Sequence, residues 1–115
     1  MNLNRMRRRI ACCAAALGLV LWSGATRIAR SEPTTHTVII DVSRYMPDVL
    51  NLKVGDTVEW MNNDLVPHTA TSKTGGFDSG AIEPGKSWKY TLKRAGDFQY
   101  SCTFHPNMKA TLHVE

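Results

Sequence analysis

Between His36 and Glu115 no apolar pattern recurs every 3.6 residues over a helical length. Short β-prone stretches alternate instead with Gly, Pro and Asp turns, which directs the chain to an all-β fold and excludes helical bundles and βαβ units. Thr37–Val42 reads as a strand. Leu50, Leu52 and Val54 alternate with Asn51 and Lys53, and after Gly55-Asp56 comes Thr57–Met61, so the two stretches are expected to pair as a hairpin that delivers Trp60 to the core. A weaker strand is expected over His68–Ser72, a loop over Lys73–Gly80 and a turn at Glu83-Pro-Gly85. Trp88, Tyr90 and Leu92 share one strand face. In the next strand Phe98, Tyr100 and Cys102 share the inward face, and in the last Ala110, Leu112 and Val114 do. The predicted architecture is a Greek-key antiparallel β-sandwich of about seven to eight strands.

Residues 1–30 are set apart from this pattern. A basic start through Arg9 leads into the apolar run Ile10–Trp22 and then the small residues Ser23-Gly24-Ala25, the layout of a secretory signal peptide, with cleavage expected between 25 and 31. The run falls short of the roughly 20 residues that span a bilayer as a helix, so no stable membrane span is expected. Arg7-Arg8-Arg9 also permits a twin-arginine route. The net charge of +4 changes meaning once the leader is removed: its six arginines and no acids leave eight basic against ten acidic side chains, which argues against a nucleic-acid partner. Residues 31–35 are expected to be a flexible entry and 36–115 the domain.

Export also isolates one thiol, because Cys12 and Cys13 lie in the leader and only Cys102 remains. A lone exported cysteine needs a buried inert position, an intermolecular bridge or a metal to protect it. The usual structural zinc site wants more cysteines. Cys102-Thr-Phe-His105-Pro-Asn-Met108 offers a thiolate, an imidazole and a thioether at three-residue steps, and Pro67-His68, 34 residues before the cysteine, can supply a second imidazole. Two imidazoles and a thiolate near one plane, with a weak axial thioether, make an electron-transfer copper site that suits both oxidation states and has no open position for substrate. Pro106 stiffens the loop beside His105.

These residues, together with Gly55-Asp-Thr-Val-Glu-Trp60, Asn62-x-Asp64-x-x-Pro67-His68, Phe77-Asp-Ser79-Gly80, Gly85, Gly96 and Tyr100-x-Cys102-x-x-His105-Pro106-x-Met108, resemble the cupredoxin family over essentially all of 36–115. The short spacing from cysteine to methionine is similar to the amicyanin branch. The resemblance implies a periplasmic type 1 copper protein, not an enzyme, that ferries single electrons with one copper ion held by His68, Cys102, His105 and a weak axial Met108. It implies electron exit and docking at His105 through an apolar rim of Leu65, Pro67, Phe104, Pro106 and Asn107. It also implies redox partners such as a c-type cytochrome or a periplasmic dehydrogenase; a monomer is expected. Thr69 stands where many relatives have an asparagine that hydrogen-bonds to the ligand loop; it can donate one hydroxyl proton but is shorter, and Asn62 or Asn63 is the candidate to compensate.

Other readings are weaker. A copper chaperone or storage protein would expose more methionines than Met46, Met61 and Met108. A cysteine nucleophile with His105 as base needs an accessible thiol and a cleft, neither of which the pattern provides. His36 and His113 are expected to be solvated, and Lys86, Lys89, Lys93 and Arg94 to form an ordinary charged face.

Overall fold

The computed structural model describes residues 18–115. Residues 1–17, which include most of the expected leader with Cys12 and Cys13, lie outside the described residues. From 18 to 34 the chain forms no strand or helix, and Leu19, Val20, Leu21, Trp22 and Ile28 are exposed. Among the described residues no helix is long and apolar enough to cross a membrane.

Among the described residues nine strands build two sheets: β1 (Thr35–Asp41), β2 (Arg44–Met46), β3 (Val49–Leu52), β4 (Thr57–Asn62), β5 (Thr71–Ser72), β6 (Phe77–Asp78), β7 (Ser87–Thr91), β8 (Gly96–Ser101) and β9 (Lys109–Val114). One sheet has the order β2-β1-β4-β7 and the other β3-β9-β8-β5-β6. The sandwich is as expected, but both sheets are mixed. β1 runs parallel to β4, with Val38 opposite Trp60, and β3 runs parallel to β9, with Leu50 opposite Leu112. Parallel neighbours need a long connection, and the chain provides it by changing sheets between β2 and β4.

That crossing corrects the expected hairpin of the stretches ending at Val54 and Met61. β3 pairs only with β9, whereas β4 is flanked on both edges by β1 and β7, leaving no edge for β3. The Gly55-Asp56 turn passes the chain from one sheet to the other. Gly55 takes φ 95, a left-handed value that suits glycine, and its N–H donates to the Leu92 carbonyl at 2.8 Å. Val54 is exposed rather than inward, its N–H donating to the Glu115 carbonyl. The expected strand at 68–72 is a single bridge, His68 to Ile82, followed by β5, and the expected loop at 73–80 contains β6.

β2 is a strand that the sequence reading did not include. It pairs with β1 through a two-residue loop, Val42-Ser43, with Asp41 opposite Arg44. Both loop residues have positive φ, 48° and 52°, the twist that a two-residue hairpin requires and that Asn-Gly usually supplies. β2 places Tyr45 in the core, with its ring centroid 4.6 Å from that of Tyr100.

The core between the sheets follows the alternation of each strand. Val38, Ile40, Val58 and Trp60 point in from one sheet, and Leu52, Phe98, Tyr100, Cys102, Ala110, Leu112 and Val114 from the other. Each fully buried aliphatic or aromatic side chain contributes about 1.5–3 kcal/mol of transfer free energy. Trp60 is the hub, its ring centroid 5.5 Å from each of Phe77, Trp88 and Tyr100. Trp88 and Tyr90 are half-buried at the margin of this cluster, so only Leu92 of their expected trio is fully inside. At one end of the sandwich Asp56 ties three segments together, accepting the Thr34 N–H at 2.9 Å, the Lys53 N–H at 3.0 Å and a bond from His36 Nε2 at 2.9 Å. The Thr34 N–H above all, opposed by burial and aided by His36 and the Lys53 N–H, holds this carboxyl at about 2. His36 is thus half-buried in a pair with Asp56 and His113 is paired with Asp97, rather than both being simply solvated.

Candidate metal centre

Strand β8 ends at Ser101, and the backbone then folds the next seven residues into a compact loop. The His105 N–H donates to the Cys102 carbonyl at 3.3 Å, the Met108 N–H to the His105 carbonyl at 2.9 Å, and the Cys102 N–H to the Met108 carbonyl at 3.1 Å. This closure turns the three-residue steps of the sequence into a cluster: Cys102 and Met108 are buried, and His105 is half-buried. His68 arrives from the neighbouring loop, fixed by its bridge to Ile82, and its side chain is fully buried.

His68, Cys102 and His105 each offer one donor atom, all within 4.8 Å of one another. The Cys102 Sγ lies 3.8 Å from His68 Nδ1 and 3.6 Å from His105 Nδ1. A metal bound at about 2.0 Å by nitrogen and about 2.3 Å by sulfur, with trigonal angles, separates those atoms by about 3.7–3.8 Å. The spacing therefore fits one metal ion held by three donors, and the donor types are those that suit copper in both oxidation states. Met108 is the one thioether in this loop; it is buried, and its backbone carbonyl accepts the Cys102 N–H.

The surrounding bonds hold this arrangement in place. The Thr69 N–H donates to Cys102 Sγ at 3.3 Å, which ties the sulfur to the backbone beside His68. The Thr69 hydroxyl accepts the Thr103 N–H at 2.9 Å, so the shorter side chain does link the two ligand-bearing loops. It also lies 3.0 Å from the Thr71 hydroxyl and 3.3 Å from that of Thr103. Asn62 acts one step further out. Its amide donates to the Val66 and Ile82 carbonyls, both at 2.8 Å, and its Oδ1 accepts the Asp64 N–H at 2.9 Å, which braces the 62–68 loop without touching the Cys102 loop. Tyr45 donates its hydroxyl to the Thr69 carbonyl, and burial pushes its phenol far above the usual range.

Sequence reading gave Asp64 no role, yet its Oδ2 lies 2.8 Å from His68 Nε2. The Ser43 N–H, His68 and the Leu65 N–H, in that order, hold its carboxyl at about 2. The signal available in the sequence was the four-residue offset from Asp64 to His68, a spacing that a polar turn also produces.

The candidate rim is exposed around the loops that carry these donors. Leu65 is 90% and Phe104 53% exposed, Pro106 and Asn107 are exposed, and Pro67 is half-buried. Phe104, His105, Pro106, Asn107 and Met108 line one shallow depression together with Ser43. Among the described residues His105 has no partner for its second ring nitrogen, unlike His68.

Comparison with known proteins gives the same picture. A family model for cupredoxin-like domains matches residues 13–114. Amicyanin of Paracoccus denitrificans is 30% identical over 94 residues, covering 76% of this chain and 72% of the relative. The solved Cu(I) form of an amicyanin variant superposes with a TM-score of 0.65 at 28% identity, covering 76% of this chain and 87% of that one. A purple cupredoxin from Nitrosopumilus maritimus superposes with a TM-score of 0.64 at 29% identity, covering 69% of this chain and 98% of that one.

Proposed function

The chain belongs to the cupredoxin-like family, and from that premise and the geometry of the centre we propose that it is an exported type 1 copper protein that carries single electrons in the periplasm. The observation that carries this reading is the triangle of His68 Nδ1, Cys102 Sγ and His105 Nδ1, whose nitrogen–sulfur separations of 3.8 and 3.6 Å match one trigonal ion. His68, Cys102, His105 and Met108 would hold the copper ion, with Met108 as the weakest of the four ligands. Copper supplies a centre that gains and loses one electron without a change of ligands. The chain supplies the rest. Burial of His68, Cys102 and Met108 keeps water from the site, the Thr69 N–H holds the Cys102 sulfur in place, and the braced loops keep the donors in one arrangement for both oxidation states.

The function is electron transfer and not catalysis, because the four donors leave no position for a substrate. Electrons leave by the half-buried His105, through the exposed rim of Leu65, Pro67, Phe104, Pro106 and Asn107, where small apolar contacts suit brief encounters. The partners are redox proteins such as a c-type cytochrome or a periplasmic dehydrogenase. Residues 1–30 act as the export signal and 36–115 as the functional domain of a monomer. The basic start, the short apolar run and the small residues Ser23-Gly24-Ala25 support removal of the leader. A chaperone or storage role fits less well, since a protein that hands over its metal needs ligands that a recipient can reach, and three of the four here are buried.

Repeated reduction by ascorbate and reoxidation by ferricyanide in the presence of a Cu(I) chelator tests the reading. A carrier keeps its copper and its colour through many cycles, whereas surrender of the metal on first reduction would identify a chaperone. In the intact carrier, Pro106→Glu is expected to slow electron exchange with a cytochrome while leaving the visible spectrum unchanged.

A further inference from the structure

We propose that Asp64 is a positioning residue of this centre, fixing the buried His68 ring as its Nε2–H tautomer and lowering the reduction potential through its negative charge. The potential half of the inference rests on the copper reading above; the tautomer half does not. His68 is fully buried, with Nδ1 toward Cys102 Sγ and Nε2 2.8 Å from Asp64 Oδ2. A neutral imidazole carries one N–H and one lone pair, and an ionised carboxylate only accepts. The proton therefore sits on Nε2, and Nδ1 presents its lone pair to the centre. Partners of this kind set the orientation and basicity of a metal-binding histidine.

Asp64 is itself held by several hydrogen bonds. Its Oδ2 also accepts the Ser43 N–H at 2.9 Å, its Oδ1 accepts the Leu65 N–H at 2.8 Å, and its own N–H is donated to Asn62. The Ser43 bond draws in the tip of the β1–β2 hairpin, where Val42 and Ser43 both take left-handed φ. That conformation is unfavourable for a β-branched residue and persists where surrounding contacts over-determine it. The carboxylate thus joins the hairpin tip to the buried histidine. The two histidines are treated differently, since among the described residues no carboxylate partners His105. A fixed negative charge against a fully buried ligand favours the more positive oxidation state of the metal, and the 17% exposure of the Asp64 side chain screens that effect only in part.

A purely structural role predicts something else, namely that Asp64 shapes the turn and a neutral isostere leaves the centre's electronics alone. Two measurements separate the readings. In the metal-free protein, nitrogen-15 NMR of the His68 ring is expected to show Nε2 protonated and Nδ1 bare; a proton on Nδ1 would overturn the inference whether or not copper binds. In the copper protein, Asp64→Asn is expected to shift the Cu(II)/Cu(I) equilibrium at least tenfold toward Cu(I), a rise of about 59 mV for one electron, with Asp64→Glu recovering most of the difference. An unchanged potential in Asp64→Asn with the visible band intact would refute the electrostatic part. Loss of the type 1 spectrum in the unmutated protein would instead refute the copper reading and leave the tautomer result standing.

Discussion

Replacing Thr69 by valine preserves the shape of the side chain and deletes the hydroxyl that joins the two ligand-bearing loops beside the Thr69 N–H bond to Cys102 Sγ. That hydroxyl accepts the Thr103 N–H at 2.9 Å inside a buried residue. A donor left without its partner in the folded state costs about 1–3 kcal/mol, and because Thr103 is exposed, water recovers part of the loss, so about 1–2 kcal/mol is expected. The hydroxyls of Thr71 and Thr103 are less buried and can turn to solvent. In a domain of this size each kcal/mol displaces Tm by about 4–8 °C, so Thr69→Val should melt about 4–16 °C lower. The assay is urea and thermal unfolding of the metal-free protein, since metal bound to the native state would add its own stabilisation and mask the difference. Thr69→Asn restores a carbonyl acceptor and is expected to recover most of the stability. A valine variant within about 0.5 kcal/mol of the parent, the range of an ordinary surface substitution, would refute the bridging role.

Asp56, which ties three segments together at one end of the sandwich, has a folded pKa of about 2, below its ordinary 3.8. A depressed carboxyl pKa stabilises the fold above the unfolded value and loses that effect as pH falls through the folded one. The Tm gap between the metal-free parent and Asp56→Asn should therefore be constant above about pH 5 and narrow toward about pH 2; a gap that does not change with pH would contradict this. Leu112 is fully buried opposite Phe98, so Leu112→Ala should lose about 2–5 kcal/mol in urea unfolding, and a loss below about 1 kcal/mol would mean that the core relaxes around the cavity.

What could be read from the sequence was what local chemistry decides. Phe98, Tyr100 and Cys102 alternate strictly in a strand with one buried face, so the inward aim of the thiol followed from the period of two. Ala110, Leu112 and Val114 were legible in the same way. The donors His68, Cys102 and His105 stood out because few residue types bind metal and because their spacing is distinctive. Pairing was harder. Gly55-Asp56 marks a turn but does not say which sheet receives the chain, and that is decided by distant partners: Thr91 and Thr35 for Thr57, Leu112 for Leu50. β2 escaped notice because Val42-Ser43 makes a hairpin turn without the residues that usually favour it. Asp64 and Ser43 are polar loop residues like many others, and their meaning comes only from the 21-residue separation that the fold closes. Threonine at 69 is shorter than asparagine, and only the fold shows that its hydroxyl accepts the Thr103 N–H while Asn62 braces a different segment.

The most direct test of the whole account is the visible absorption and electron paramagnetic resonance spectrum of the protein loaded with Cu(II), recorded beside Cys102→Ala. An intense thiolate-to-copper band with the narrow hyperfine splitting of a type 1 centre, both lost in Cys102→Ala, is the result predicted from the His68, Cys102 and His105 triangle. A pale spectrum that Cys102→Ala leaves unchanged would show that the thiol does not bind copper and would contradict the account.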